Sequence, residues 1–225
     1  MLGLDSISPR AAQAHDLLAA EQPDRIMMVG ATCGVEVAPI AYLNEKYSGG
    51  LAVLWLDAHA DLNTPESSPS GHFHGMVLRS LLGEGPASLV DRIPRPLTPA
   101  QLWLVGARDL DPPEAEFVRD AGIRIAGLDA ITDPVEFARS IRRAGFERVY
   151  LHLDLDVINP ADFASFLMRT PGGPSLDDVM ALVCQVREQC DVVGFSVVEF
   201  CDRGGGDLER LVAALGQAGV GCGSV

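Results

Sequence analysis

Two short stretches carry side chains of the kinds that bind divalent cations: Asp57-Ala-His59-Ala-Asp61 and His152-Leu-Asp154-Leu-Asp156. Each follows an apolar run, Leu51 to Leu56 and Val149 to Leu151, that reads as a buried strand. Residues two apart along a strand point the same way. Asp57, His59 and Asp61 can therefore converge where one strand ends, and Asp154 and Asp156 where the other does. Carboxylates and an imidazole gathered at one point repel one another strongly unless cations lie among them. The chemistry that fits is a metal cluster. Aspartate and histidine suit a hard or borderline ion such as manganese. Two ions about 3.5–4 Å apart under bridging carboxylates can share and activate one water.

The elements that must position these groups alternate along the chain. Strand-like runs at 25–29, 51–56, 102–106, 123–126, 148–155 and 192–200 are separated by helical patterns at 35–47, 75–82, 112–121, 175–189 and 207–215. A further helix opens at Asp133-Pro134, with proline in its first turn, and Ser175 is a natural cap for the helix it precedes. Continuous apolar strands separated by helices imply a parallel sheet covered on both faces. Ligands of such sheets bind at the carboxyl ends of the strands. Thr32-Cys33, Asp57 to Asp61, Arg108 to Asp111, Asp154 to Asp156 and Glu199 all fall at such ends. The expectation is a single α/β domain over 1–225. The Ser-, Pro- and Gly-rich segment 63–71 directly follows the first acidic cluster, which favours a substrate-facing loop over an ordinary surface one.

Composition excludes several classes. A net charge of −14 disfavours nucleic acid, whose phosphates need a basic face. No apolar run is long enough for a membrane span, and no basic segment followed by an apolar one opens the chain, so a cytoplasmic protein is expected. Cys33, Cys184, Cys190, Cys201 and Cys222 are odd in number and lack zinc-ribbon spacing, which predicts free thiols. Neither G-x-G-x-x-G nor G-x-x-x-x-G-K-[ST] occurs, which sets aside a nucleotide site at the strand ends.

Asp57-Ala-His-Ala-Asp-Leu-Asn-Thr-Pro, followed by Ser70-Gly-His-Phe-His74-Gly-Met, resembles the signature of the arginases within the ureohydrolases. Gly106-Ala-Arg108-Asp109-Leu-Asp111, His152-Leu-Asp-Leu-Asp156, Thr170-Pro-Gly-Gly173 and Val197-Val-Glu199 keep that family's order and approximate spacing. The resemblance implies a three-layer αβα sandwich around a mostly parallel sheet and a binuclear manganese centre, two Mn(2+) per chain. It also implies hydrolysis of a small cationic guanidino substrate and a homo-oligomer, trimer or hexamer. By position, Asp57 and Asp154 would bridge the ions, His59 and Asp156 would complete one site, and Asp61 with Cys33 the other. A bridging hydroxide would attack the guanidinium carbon, His74 would shuttle a proton, and Glu199 would orient the guanidinium. Asn63, Ser68 and Ser70 would bind an α-carboxylate and Asp111 an α-ammonium, although each could equally serve as a turn or cap residue. Arg108 and Asp109 are expected to pair with each other.

The family pattern breaks in three places. Cys33 stands where the family has a histidine ligand. A thiol must ionise to bind and prefers softer ions such as zinc or iron, so the cation on that side is expected to be weak or replaced. His72 stands where arginases carry asparagine, which alters contact with the substrate's amino-acid end. Only 32 residues precede Cys33, so a first strand–helix unit is expected to be missing, leaving one sheet edge to be covered by another element or subunit. A rival reading is a catalytically impaired metal-binding protein acting as ligand sensor or regulator. Retention of His74 and Glu199 weighs against it, because binding needs no proton shuttle.

Overall fold

The computed structural model describes residues 1–220, so Cys222 lies outside the described residues. Six strands form one sheet: β1 (Ile26–Val29), β2 (Leu51–Leu56), β3 (Leu102–Val105), β4 (Arg124–Ala126), β5 (Arg148–Asp154) and β6 (Asp191–Val198). Their spatial order is β1-β6-β5-β2-β3-β4, and every pair is parallel. The helices are α1 (Leu4–Glu21), α2 (Val37–Lys46), α3 (Val77–Leu81), α4 (Ala87–Val90), α5 (Pro112–Ala121), α6 (Leu128–Thr132), α7 (Pro134–Arg143), α8 (Leu176–Gln189) and α9 (Asp207–Gln217).

Strand periodicity builds the layers. In β2, Ala52, Leu54 and Leu56 enter one core with α6 to α9, while Leu51, Val53 and Trp55 enter the other with α1 to α5. Val149, Leu151 and Leu153 of β5 join the first core and Tyr150 joins the second. The central strands are buried along both faces, which is why they read as unbroken apolar runs. Gly194 of β6 serves this packing: a Cβ there would come within 2.1 Å of the Tyr150 ring.

The sequence pattern did not reveal α1. Pro9 lies well past its first turn, where proline costs a backbone hydrogen bond, and its apolar stripe is weak. The helix nevertheless packs on α2. Ahead of it, Leu2 bridges to the residue pair around His72: its N–H donates to Gly71 O at 2.8 Å, and Phe73 N–H donates to Leu2 O at 3.0 Å. The start of the chain thereby pins the loop that ends the 63–71 segment. Among the described residues β1 has β6 as its one strand neighbour, and Met27 and Val29 are exposed there.

Candidate metal centre

Parallel strands place all their carboxyl ends at one edge, and the residues found there form a single cluster. Asp57 follows β2, Asp154 closes β5 and Glu199 follows β6. Cys33 opens a 3-10 turn (Cys33–Glu36) after β1, capped by Thr32, whose Oγ1 accepts from Gly34 N–H at 3.1 Å. Donor atoms of Cys33, Asp57, His152 and Asp154 lie within 4.8 Å of one another, and so do those of Asp57, His59 and Asp156. Asp57 belongs to both groups, as a bridging ligand would.

Protein donors already fix part of each carboxylate. Trp55 Nε1–H donates to Asp57 Oδ2 at 3.1 Å and His59 N–H to Asp57 Oδ1 at 2.7 Å. Ala58 N–H donates to Asp156 Oδ1 at 3.0 Å, and Asp156 N–H to Asp154 Oδ1 at 2.8 Å. The Cys33 thiol donates to Asp154 Oδ2 at 3.1 Å. Asp61 and Glu199 both hold left-handed backbone, with φ of 51° and 63°, a conformation costly for residues with a Cβ and frequent at functional sites.

The electrostatics show what the cluster lacks. Burial first, then neighbouring carboxylates, push Asp61 and Asp154 well above the usual carboxylate range, and the same causes raise Asp57 to about 6. Burial opposes protonation of His59, yet its Nδ1 lies 2.9 Å from Asp156 Oδ2 and 3.3 Å from Asp57 Oδ1, and these contacts hold its pKa up, to about 12. Asp61 Oδ2 is buried without a hydrogen-bond partner among the described residues. Carboxylates forced to keep protons, an imidazole standing in as a cation and an orphaned oxygen are the marks of a site built around positive charge. The residues fit divalent cations.

Beside the cluster is a cleft of about 240 Å³ lined by Asn63, Ser68, Ser70, His74, Asp111 and Glu199 together with the metal-binding candidates. His74 Nδ1 is 3.8 Å from Glu199 Oε1. Asn63 Nδ2–H donates to Asp111 Oδ2 at 2.8 Å, and Ser68 and Ser70 hydroxyls sit 3.4 Å apart. Asp111 also caps α5. His72 does not line this cleft. It faces a neighbouring, more apolar cavity of about 870 Å³ that shares Ser70, His74, Met168 and Glu199 with the cleft. The expected Arg108–Asp109 pair is replaced: Arg108 donates to the carbonyls of Gly106, Asp156, Val157, Thr170 and Pro171. A guanidinium fork matched to converging carbonyls holds the loops after β3 and β5 together, leaving Asp109 exposed.

Sequence reasoning left out Trp55, Glu36, Tyr150 and Glu114. Glu114 Oε1 accepts from Leu62 N–H and Oε2 from Asp111 N–H, each at 2.9 Å, tying α5 to the segment after Asp61. A glutamate three residues after Asp111 is a capping-box signal that could have flagged it.

Comparison with known proteins gives a consistent picture. The model of the arginase family matches residues 8–202. The chain is 34% identical over 158 residues to an arginase of Staphylococcus aureus (strain COL), covering 66% of this chain and 51% of that protein. It is 32% identical over 164 residues to an arginase of Bacillus caldovelox, covering 67% and 54%. The chain thus spans about half the length of the curated relatives it matches. Among solved structures, Bacillus cereus arginase superposes with a TM-score of 0.84 at 27% identity, covering 98% of this chain and 79% of that one. Entamoeba histolytica arginase in complex with L-ornithine gives 0.84 at 25% identity, covering 95% and 77%. Proclavaminate amidino hydrolase from Streptomyces clavuligerus gives 0.74 at 27% identity, covering 95% and 68%.

Proposed function

The chain belongs to the arginase family, and from that premise we propose that it is a metal-dependent amidinohydrolase. It would cleave a guanidino C–N bond of arginine or a close analogue, such as N-hydroxyarginine, giving urea or a urea derivative. The observation that carries this reading is the cleft itself, where His74 and Glu199 face each other beside buried aspartates that need cations. Asp57, His59 and Asp156 would hold one ion, with manganese suiting their hard donors. Cys33, Asp57, Asp61 and Asp154 would hold the second. Such a pair supplies a water nucleophile near neutral pH.

The chain's own groups would do the rest. Glu199, mostly buried, would bind the guanidinium and fix its carbon over the cluster, since a buried carboxylate is stabilised by a cation. As the water oxygen adds to that carbon and the bond to the amine breaks, His74 would hand a proton to the departing nitrogen. Asn63, Ser68 and Ser70 offer donors for an α-carboxylate, and Asp111 an acceptor for an α-ammonium. His72, turned to the apolar cavity, would adjust the fit of the substrate's tail.

The test is a panel of arginine, N-hydroxyarginine, agmatine and guanidinobutyrate, with manganese added and urea or hydroxyurea scored. Amino-acid substrates should exceed agmatine by about tenfold or more in kcat/KM, because agmatine lacks the carboxylate that charge-assisted hydrogen bonds would hold. Failure on every compound, with metal shown to be bound, would favour the sensor reading instead.

A further inference from the structure

We propose that His152 is a metal ligand, its Nε2 giving the Cys33-side cation a nitrogen donor. The donors offered there become Cys33, His152, Asp57, Asp61 and Asp154, one sulfur, one nitrogen and three carboxylates. This rests on reading the cluster as a cation site, and it replaces the idea that the cysteine merely weakens it.

The register of the sheet places the imidazole where such a donor must be. Tyr150, His152 and Asp154 alternate along β5 and so share a face, as Trp55 and Asp57 do across β2. Trp55 pairs with His152 and His152 with Ser196, so these three form the row directly beneath Asp57 and Asp154. The His152 ring stacks on Trp55 at 3.5 Å between centroids, which fixes its plane. A ring nitrogen of His152 then lies within 4.8 Å of donor atoms of Cys33, Asp57 and Asp154.

The two ring nitrogens have different surroundings. Nδ1 is hydrogen-bonded with Ser196 Oγ at 3.3 Å and lies 3.3 Å from Glu36 Oε1, which has no hydrogen-bond partner among the described residues. Nε2 is buried with no hydrogen-bond partner among the described residues. Glu36 is itself wholly buried and is held by Tyr150, whose hydroxyl donates to Oε2 at 2.6 Å. A proton on Nδ1 shared with Ser196 Oγ leaves a lone pair on Nε2. A hydrogen bond at the ring nitrogen turned away from the cation is the usual outer support of a histidine ligand. A histidine buried only for packing would leave Nε2 unsatisfied, at a cost that native cores avoid. Glu36 and Cys33 come from the same 3-10 turn, so one short segment supplies both the unusual sulfur and a carboxylate beside the new nitrogen.

The full chain, loaded with zinc and dialysed, tests this without reference to turnover. X-ray absorption at the zinc edge should count two imidazoles for two zinc ions, from His59 and His152, with one sulfur. His152→Phe keeps a ring against Trp55 but removes the nitrogen. It should hold the Cys33-side zinc at least tenfold more weakly, with Ser196→Ala intermediate, while the site around His59 stays filled. Equal zinc content and affinity in native and His152→Phe chains would overturn the assignment. If that variant does not fold, the native spectrum decides: a single imidazole for the bound zinc would overturn it too. A native chain that binds no zinc would sink the cation-site reading as well, whereas two tightly held ions with one imidazole would sink the His152 assignment alone.

Discussion

Cys33 differs from the aspartates around it in carrying a proton that it must lose before it can bind. Burial, reinforced by the carboxylates of Asp61, Asp154, Asp57 and Glu199, pushes its thiol well above the ordinary cysteine value. In the metal-free chain the thiol is therefore a donor to Asp154, and only an ion with strong affinity for sulfur will displace that proton. Manganese lacks that affinity, while zinc, cobalt and iron have it. Cys33→Ser should consequently leave manganese loading unchanged and lower zinc retention by about tenfold, roughly 1.4 kcal/mol. Elemental analysis after competitive loading with equal zinc and manganese reads this directly. Identical zinc-to-manganese ratios in the two chains would show that the sulfur takes no part.

At the scale of elements, β2 and β5 were legible because they are buried on both faces, and burial of that kind leaves an uninterrupted apolar run. β2 and α5 fall where the sequence places them, and the acidic residues after β2 and β5 stand where parallel topology puts ligands. What the sequence concealed are contacts between elements. His152 is two residues from Asp154, so its side was readable, but the approach of Glu36 from the turn after β1 depends on how that turn crosses the sheet. The same holds for Glu114, whose carboxylate reaches Leu62 from another element. Deleting it strands two backbone N–H groups in a buried place, at about 1–3 kcal/mol for each unsatisfied donor. Glu114→Ala should therefore destabilise the fold by roughly 2–3 kcal/mol. It should also raise KM more than it lowers kcat, because Asp111 and Asn63 lose their anchor. Glu114→Gln keeps one acceptor and should lose about half as much stability. Denaturant midpoints and steady-state kinetics check both, and an alanine variant with native stability would remove Glu114 from this role.

For the whole molecule, charge and stability are linked through the cluster. The chain carries a net charge of −14, and part of that excess is packed into the cleft. Without metal, Asp57 keeps its proton up to about pH 6, while Asp61, Asp154 and Glu114 are also raised, chiefly by burial. His59 keeps its proton far above its ordinary value, to about 12. Between about pH 4 and 8 the folded chain therefore binds more protons than the unfolded chain. Its stability must fall as pH rises through that window. Asp156, whose pKa is lowered, pulls the other way only below the ordinary aspartate value. Cations replace these protons and bind more tightly as the carboxylates ionise, so the metal-loaded chain gains stability relative to the metal-free one as pH rises. A two-unit shift in one carboxylate corresponds to about 3 kcal/mol at most. At roughly 2–4 °C per kcal/mol for a chain of this length, the chelator-treated protein should lose several degrees of Tm between pH 4.5 and 8. The gap to the metal-loaded protein should widen over the same range. A gap that stays constant with pH would mean that the ions bind somewhere other than among these aspartates.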